Sequence, residues 1–314
     1  MSVPVPGVHP DDLAFVYDEM AYFGENCAEF GLAEPDDVDV ERVTHVLGDG
    51  RSIAALKWGT GSPRLVLLHG GAQNAHTWDT VALALRPASI LVVDLPGHGR
   101  SSWRTDHAYD PISNAADVSE AIAALAPDAT LVVGMSLGGL TSIALSRNMA
   151  AMQRLVLVDI TPGVNAQKAK AVHDFIAGPQ SFPSFGEIFD RTVEFNPTRT
   201  PESLRRGILH NAHRTADGTW EWNYDRRPMA ELSDGELQLS GSTLWADLAD
   251  ANAEVLLVRG SLSPVVDDDD VAELQRLRPD ARLMVVDGAG HSIQGDRPLE
   301  LAALIAEELA AIGR

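Results

Sequence analysis

The stretch TLVVGMSLGGLTSIALSRN, residues 130–148, decides the fold, because a glycine-rich turn joins a short apolar run to a helical pattern. The run TLVV is typical of a buried strand, and LTSIALSRN is typical of a helix. Between them lies GMSLG (134–138), whose small residues allow the strand and helix backbones to approach closely. A serine between two such glycines is held in a strained, exposed turn. The pattern predicts a nucleophile elbow with Ser136 as the nucleophile.

Short runs rich in Val and Leu recur along the chain, with helical stretches between them. Such runs suit strands that are buried on both faces of a parallel sheet. Before them, two strand-like segments flank Gly48-Asp49-Gly50, which predicts an antiparallel hairpin leading into the sheet. We therefore predict an α/β fold with a mostly parallel central sheet flanked by helices. The runs are RLVLLH (64–69), SILVVD (89–94), TLVVGM (130–135), RLVLVDI (154–160), EVLLVRG (254–260) and ARLMVVDG (281–288).

A long insertion follows the sixth strand, counting the hairpin. Residues 161–253 separate two parallel runs, whereas a single crossover needs only roughly a dozen residues. We predict a helical cap at 165–240 over the C-terminal edge of the sheet, where open α/β sheets bind their ligands. The predicted organisation is an N-terminal extension at 1–37, a core at 38–164 and 241–314, and the cap between the two parts of the core.

Composition excludes several classes of partner. The formal net charge of −21 would repel nucleic acid and anionic membranes at long range. No apolar run approaches the roughly 18 residues of a membrane span, and residues 1–20 lack the basic segment and apolar run typical of a signal peptide. Cys27 is the single cysteine, so no internal disulfide can form. We expect a cytoplasmic protein without a membrane or nucleic-acid partner, and a homodimer stays open.

The segment LLHGGAQNAHTW (67–78) follows the first parallel strand and resembles a loop that binds an oxyanion. Glycines let backbone N–H groups face a ligand, as stabilisation of a tetrahedral oxyanion requires. We assign the two donors to Gly71 and Leu137, with Ala72 as a possible substitute. His69 is interpreted as structural, and His76 has no assigned role.

A candidate base lies in GAGHSIQGDRP (288–298), just beyond the last strand. Proton transfer from Ser136 and back requires a group that titrates near neutrality, which favours histidine. His291 alone among the histidines follows both Ser136 and all candidate acids, in the order serine, acid, histidine. The sequence predicts His291 as the general base.

Taken together, HGG, DLPGHGRS (94–101), GMSLGG and GAGH resemble the α/β-hydrolase superfamily in order and spacing, over about residues 40–312. The resemblance implies hydrolysis of an ester, thioester or related acyl compound, with no cofactor. Serine at the elbow argues against the haloalkane dehalogenases and epoxide hydrolases, which resemble this fold and use an aspartate nucleophile.

The acid departs from the pattern that the resemblance implies. Most members carry it after the penultimate strand, in a segment resembling Gly-x-x-Asp, but RGSLSPVV places Ser263 there. Asp267 follows four residues later, although helix capping explains it better. Asp159, at the end of RLVLVDI, could orient His291 as the third triad member. We favour Asp159, while Asp267 and a different acid such as Asp247 stay open.

Aromatic and basic residues of the predicted cap bear on the substrate. Aromatic side chains would favour a hydrophobic or aromatic group, and a cap arginine could meet a substrate carboxylate. His210 and His213 have the spacing of a metal pair but lack an evident third ligand, so we expect no metal. The cap residues singled out are Arg205, Arg206, His210, His213, Trp220, Trp222 and Tyr224.

The preferred function is hydrolysis of a small carboxylic ester through an acyl-enzyme. Lactone and thioester hydrolysis need the same groups and stay open. A carbon–carbon bond hydrolase acting on a diketone is an alternative. A second alternative, from another class, is a ligand receptor derived from a hydrolase, since the usual acid position is vacant.

Overall fold

The computed structural model describes residues 9–33, 38–225 and 234–312, and it omits the side chains of 234–240. No helix in these ranges is long and apolar enough to cross a membrane. The strands are β1 (Val40–Val46), β2 (Ser52–Trp58), β3 (Leu65–Leu68), β4 (Ile90–Val93), β5 (Leu131–Met135), β6 (Arg154–Val158), β7 (Ser181–Phe182), β8 (Ala212–Arg214), β9 (Trp220–Trp222), β10 (Glu254–Gly260) and β11 (Arg282–Val286). The helices are α1 (Phe23–Phe30), α2 (Asp79–Ala84), α3 (Pro111–Leu125), α4 (Leu137–Ser146), α5 (Lys170–Ile176), α6 (Phe185–Phe195), α7 (Pro201–Asn211), α8 (Asp234–Asp250), α9 (Asp268–Leu277), α10 (Ile293–Asp296) and α11 (Pro298–Ala311).

The central sheet has eight strands in the order β1-β2-β4-β3-β5-β6-β10-β11. The hairpin β1–β2 is antiparallel and β2 is antiparallel to β4, whereas the remaining neighbours run parallel. Each predicted apolar run forms one of these strands. The predicted mostly parallel α/β sheet is thus confirmed.

Helices cover both faces of the sheet because the strand side chains alternate between two apolar cores. In β3, Val66 and Leu68 pack on the face that α3, α4 and α8 cover. Leu65 and Leu67 pack on the opposite face with α1, α2 and α11. Burial of each such side chain stabilises the fold by roughly 1.5–3 kcal/mol. The two layers fix the carboxyl ends of β5, β6 and β10 at one edge of the sheet.

The insertion after β6 contains more than helices. It holds α5, α6 and α7, together with a small antiparallel sheet of order β7-β9-β8. These strands have two or three residues each, too few for an alternating pattern to be recognised. The prediction of a helical cap was therefore incomplete.

The predicted boundary between cap and core at 240/241 falls inside α8. Leu244 and Leu248 of this helix belong to the core under the sheet, so its second half packs as core structure. Residues 226–233 of the predicted cap lie outside the described residues. The division into domains stays a prediction.

The predicted N-terminal extension contacts both cap and core. Asp11 accepts hydrogen bonds from Trp220 Nε1 at 2.7 Å and from the Phe185 backbone N–H at 2.9 Å. Further along, Phe23 packs against Trp58 of β2, with ring centroids 4.9 Å apart. Residues 1–8 and 34–37 of this extension lie outside the described residues.

Candidate active site

Ser136 occupies the sharp turn between β5 and α4. Its backbone is left-handed, with φ 51° and ψ −119°, a conformation that non-glycine residues adopt mainly under constraint. Close packing makes the two glycines necessary: a Cβ on Gly134 would lie 2.3 Å from the Gly138 carbonyl oxygen. A Cβ on Gly138 would lie 2.4 Å from the Leu68 carbonyl oxygen. The turn therefore has the geometry of the predicted elbow.

Asp159 and His291 meet at the carboxyl edge of the sheet. Asp159 is fully buried at the end of β6, and its Oδ2 lies 2.8 Å from His291 Nδ1. Because a carboxylate accepts hydrogen bonds, this contact selects the neutral tautomer in which Nδ1 bears the hydrogen and Nε2 the lone pair. Asp159 also has a left-handed backbone, with φ 51°. Ser136 and Asp159 are thus two residues with strained backbones at the same edge of the sheet.

Two further groups hold the Asp159 carboxylate. The Gly260 backbone N–H donates to Oδ1 at 2.9 Å, and the Ser263 hydroxyl donates to Oδ2. Ser263 is the residue that stands where the resemblance implies an acid. Sequence analysis noted the missing acid there but missed that its replacement binds the other candidate.

The remaining acid candidates lie elsewhere. Asp267 caps α9 through a reciprocal hydrogen-bonded pair with Asp270, its side chain is 46% exposed, and it pairs with Lys168 at 2.9 Å. Asp247 pairs with Arg147 at 3.1 Å. Among the described residues neither forms a hydrogen bond with His291, so the structure brings only Asp159 to it.

The two predicted oxyanion donors have unused N–H groups, and Gly71 lies in the wall of the cavity that contains Ser136. Among the described residues, the backbone N–H groups of Gly71 and Leu137 have no hydrogen-bond acceptor. Ala72 is unsuitable as a substitute, because its N–H already donates to His98 Nε2 at 3.1 Å. Leu137 begins α4, so the helix dipole also favours negative charge there.

Two buried histidines shape this loop. His69 Nε2 accepts from the Leu95 N–H at 2.9 Å, and its Nδ1 lies 2.7 Å from the Gly70 carbonyl oxygen. His98 Nδ1 lies 2.9 Å from the Pro96 carbonyl oxygen. Burial lowers the pKa of both rings, so both remain neutral and each serves as donor and acceptor at once. The interpretation of His69 as structural agrees with these contacts; the role of His98 was missed.

A cavity of about 350 Å³ contains Ser136 and His291 in its wall, together with Gly71. Aromatic residues of the cap form a continuous patch there: Phe175 lies 5.5 Å from Phe195 and 5.7 Å from Trp222, measured between ring centroids. We call these three rings the aromatic patch. Trp220 and Tyr224, also singled out in the sequence, lie outside this wall.

The predicted cap histidines separate in space. His213 is exposed and bonds Asn223, whereas His210 is buried in the cavity wall with Nδ1 2.8 Å from the Tyr17 hydroxyl. Burial lowers the pKa of His210 well below its usual value. The two histidines therefore do not form a metal pair.

His210 instead joins His76 and Asp79. Ligand atoms of these three residues lie within 4.8 Å of one another, the one such group found in the described ranges. However, the two imidazoles stack with centroids 3.9 Å apart and planes 8° apart. Ring-nitrogen lone pairs lie in the ring planes, so two stacked rings cannot both direct one at an ion between them. Metal binding here would require a ring to rotate.

Charges around His76 explain its state. Burial lowers the pKa of His76, but the carboxylates of Asp79 and Glu19 outweigh it and raise that pKa to about 9. His76 Nδ1 lies 2.9 Å from Asp79 and Nε2 lies 3.1 Å from Glu19. The ring is therefore protonated at neutral pH and links the N-terminal segment to the core.

An elbow serine, a histidine held by a buried acid and a glycine with an unused N–H border one cavity, an arrangement typical of serine hydrolases on an α/β sheet.

Comparison with known proteins agrees with this class. The model of the Alpha/beta hydrolase family matches residues 65–304. Esterase Rv0045c of Mycobacterium tuberculosis is 41% identical over 304 residues, which cover 94% of this chain and 97% of that protein. A solved structure of that esterase, from work on its transition metal inhibition and structural refinement, has a TM-score of 0.83 at 40% identity, covering 94% of this chain and 99% of the other. The crystal structure of E-2-(acetamidomethylene)succinate hydrolase has a TM-score of 0.76 at 24% identity, covering 88% and 100%, and shows likeness of fold alone. The chain belongs to the α/β-hydrolase family.

Proposed function

We propose that this chain is a carboxylic ester hydrolase in which Ser136 is the nucleophile, His291 the general base and Asp159 the acid. The hydrogen bond between His291 Nδ1 and the buried Asp159 carboxylate is the observation that supports this most directly. It leaves His291 Nε2 as a proton acceptor in the cavity wall that also contains Ser136. The activity of the M. tuberculosis relative, an esterase, agrees with it.

The reaction proceeds in two halves. Ser136 Oγ attacks the ester carbonyl carbon while Nε2 of His291 takes its proton, and the oxyanion accepts hydrogen bonds from the N–H groups of Gly71 and Leu137. Collapse of the tetrahedral intermediate breaks the bond to the alcohol oxygen, which receives the proton from His291. Water then attacks the acyl-enzyme in the same way, its proton passing through His291 to Ser136. Asp159 orients the ring and stabilises its charged form.

The cavity favours a small substrate with a hydrophobic or aromatic group. Its volume of about 350 Å³ lies at the small end for ligand sites. The aromatic patch supplies apolar surface. Lactones and thioesters would react with the same groups, so the proposed site defines the acyl-transfer chemistry and does not define the leaving group.

The direct test uses p-nitrophenyl acetate and butyrate together with labelling by a fluorophosphonate probe. We expect the parent to be labelled and active, and Ser136→Ala to lose both signals. Ser146→Ala is a matched control, because its hydroxyl bonds the Ile143 carbonyl oxygen at the far end of α4. Labelling that persists in Ser136→Ala would disprove the assigned nucleophile.

The alternatives give different results in the same assay. A parent that ignores simple esters but cleaves a vinylogous diketone would favour a carbon–carbon bond hydrolase. A parent that neither reacts with the probe nor turns over any ester, yet retains a small ligand, would favour a receptor.

Assembly and location are separate proposals. We propose a cytoplasmic protein that uses no nucleic acid, and a homodimer is to be tested by light scattering after size-exclusion chromatography. A single mass near 33.7 kDa would exclude the dimer.

A further inference from the structure

Two arginines contribute to the wall of the active-site cavity, Arg199 and Arg206. The sequence pointed to Arg205 and Arg206 as residues that could meet a substrate carboxylate. Arg205 lies outside this wall and pairs with Glu25 at 3.4 Å. The structure therefore replaces one of the two candidates.

Arg206 is already neutralised within the chain. Its guanidinium forms an ion pair with Glu29 of α1, and its Nε donates to Asn26 Oδ1 at 3.1 Å. A substrate anion would have to displace the Glu29 carboxylate from Arg206. Arg206 thus serves to fasten α7 to α1 and has little capacity left for a ligand.

Arg199 differs because no carboxylate of the described residues accepts a hydrogen bond from it. Its one hydrogen bond to a described residue goes to the Ser203 hydroxyl, and its Nε is buried without an acceptor. A neutral hydroxyl does not balance the charge of a guanidinium, and burial lowers the pKa of Arg199. Burying a charge without a counter-ion is costly.

The nearby carboxylates attract Arg199 electrostatically but do not accept its hydrogen bonds. Asp296 accepts instead from Thr198 Oγ1 at 3.0 Å and from the Gly290 backbone N–H at 2.7 Å. Glu29 is bound to Arg206. Arg199 therefore presents unused donors on a cavity wall where both neighbouring acids already have partners.

Arg199 also lies beside the segment that contains the base. A Cβ on Gly295 would lie 2.6 Å from Arg199 Cζ, so the guanidinium packs directly against α10, four residues after His291. Arg199 also lies four residues after Phe195 of the aromatic patch. A molecule held at the catalytic serine can therefore have an apolar part against the aromatic patch and a charged part at Arg199.

We propose that Arg199 binds a carboxylate of the substrate, so that the enzyme prefers esters bearing an acid group over their neutral analogues. This inference rests on the proposed ester hydrolysis and names its substrate class. The planar guanidinium offers two parallel N–H groups, which match the two oxygens of a carboxylate. A substrate carboxylate would accept the hydrogen bonds that no carboxylate of the described residues accepts from Arg199.

The test compares kcat/KM for two matched pairs. The first pair is the p-nitrophenyl monoester of adipic acid and its methyl-capped diester, which places the acid on the acyl side. The second pair, 4-(carboxymethyl)phenyl butyrate and its methyl ester, places it on the alcohol side. We expect the parent to prefer the acid in at least one pair, and Arg199→Gln to reduce that preference roughly 10- to 100-fold, as for loss of a charge-assisted hydrogen bond.

Controls separate charge recognition from folding. Arg205→Gln removes the same charge from the cap outside the cavity and should leave the ratio of the two kcat/KM values unchanged. Arg199→Lys should regain part of the preference, and thermal unfolding verifies that each variant is folded. The inference would be overturned if the parent showed no preference for the acid in either substrate pair. It would also be overturned if Arg199→Gln preferred the acid as strongly as the parent does. If the parent hydrolyses neither neutral substrate, the methyl-capped diester or the methyl ester of the butyrate, and is not labelled by a fluorophosphonate, the proposed ester hydrolysis itself has failed.

Discussion

The Ser263 hydroxyl donates a hydrogen bond to the carboxylate of Asp159. Because β6 and β10 are parallel neighbours, the residues that follow them lie side by side. An acid at the end of β6 therefore reaches the same histidine as an acid in the loop after β10 would. Ser263, in the loop after β10, therefore holds the acid that lies at the end of β6.

Replacement of Asp159 by Asn should remove the acid without changing its size. The amide cannot orient the His291 tautomer, so we expect kcat to fall roughly 10³- to 10⁴-fold. Steady-state hydrolysis of p-nitrophenyl butyrate measures the loss. Asp267→Asn is the control: it should retain both turnover and most of its stability, because asparagine caps a helix as well as aspartate does. The reverse result would place the acid after β10.

Ser263→Ala should weaken the support of Asp159 while leaving all three proposed catalytic side chains in place. Loss of one hydrogen bond to a buried carboxylate costs roughly 1.5–3 kcal/mol, so we expect kcat to fall at least about tenfold with little change in KM. Ser263→Thr restores a hydroxyl and should recover part of the rate. Equal kcat in the parent and in Ser263→Ala would show that the hydroxyl does not position the acid.

A methyl group at Gly138 should destabilise the elbow. It would meet the carbonyl oxygens of Leu68 and His69 at 2.4 and 2.5 Å, and a backbone shift to relieve this costs about 1–3 kcal/mol. Chemical denaturation measures the change in the free energy of unfolding. In contrast, a Cβ at Gly186 in α6 would meet only the hydroxyl of the capping residue Ser184, at an ordinary 3.7 Å, and alanine favours a helix, so stability of Gly186→Ala should hold or rise. Similar effects at both positions would contradict the packing argument.

His76 should make stability depend on pH in the alkaline range. Its pKa rises from an ordinary value of 6.5 in the unfolded chain to about 9 in the folded one. The contribution is therefore complete below about pH 6.5 and disappears as pH rises through about 9. We expect the difference in unfolding free energy between the parent and His76→Gln to shrink by about 3 kcal/mol between pH 6.5 and 9.5. A difference that grows with pH would mean that the ring is neutral when folded.

Sequence patterns predicted the parts of this molecule that local chemistry determines. Strands such as β5 have continuous apolar runs, and the elbow at Ser136 has a glycine two residues away on each side, so both features can be recognised in one short segment. The choice between Asp159 and Asp267 depended on which strands are neighbours, and no local pattern contains that information. The stacked pair of His76 and His210 brings together distant segments, and the unpaired state of Arg199 is a property of everything around it. Strands as short as β7 are stabilised by their partners and have no pattern of their own.

Ser136, Gly71 and His291 enter the cavity wall from the segments that follow β5, β3 and β11, whereas α1 and the insertion after β6 supply another part of that wall. These last two segments are encoded apart from the elbow and contain none of the proposed reacting groups. Substitutions that alter what the cavity accepts can therefore accumulate in one segment at a time while the reacting groups stay intact. Among descendants of a common ancestral gene, substrate preference and reaction chemistry are free to diverge at separate rates.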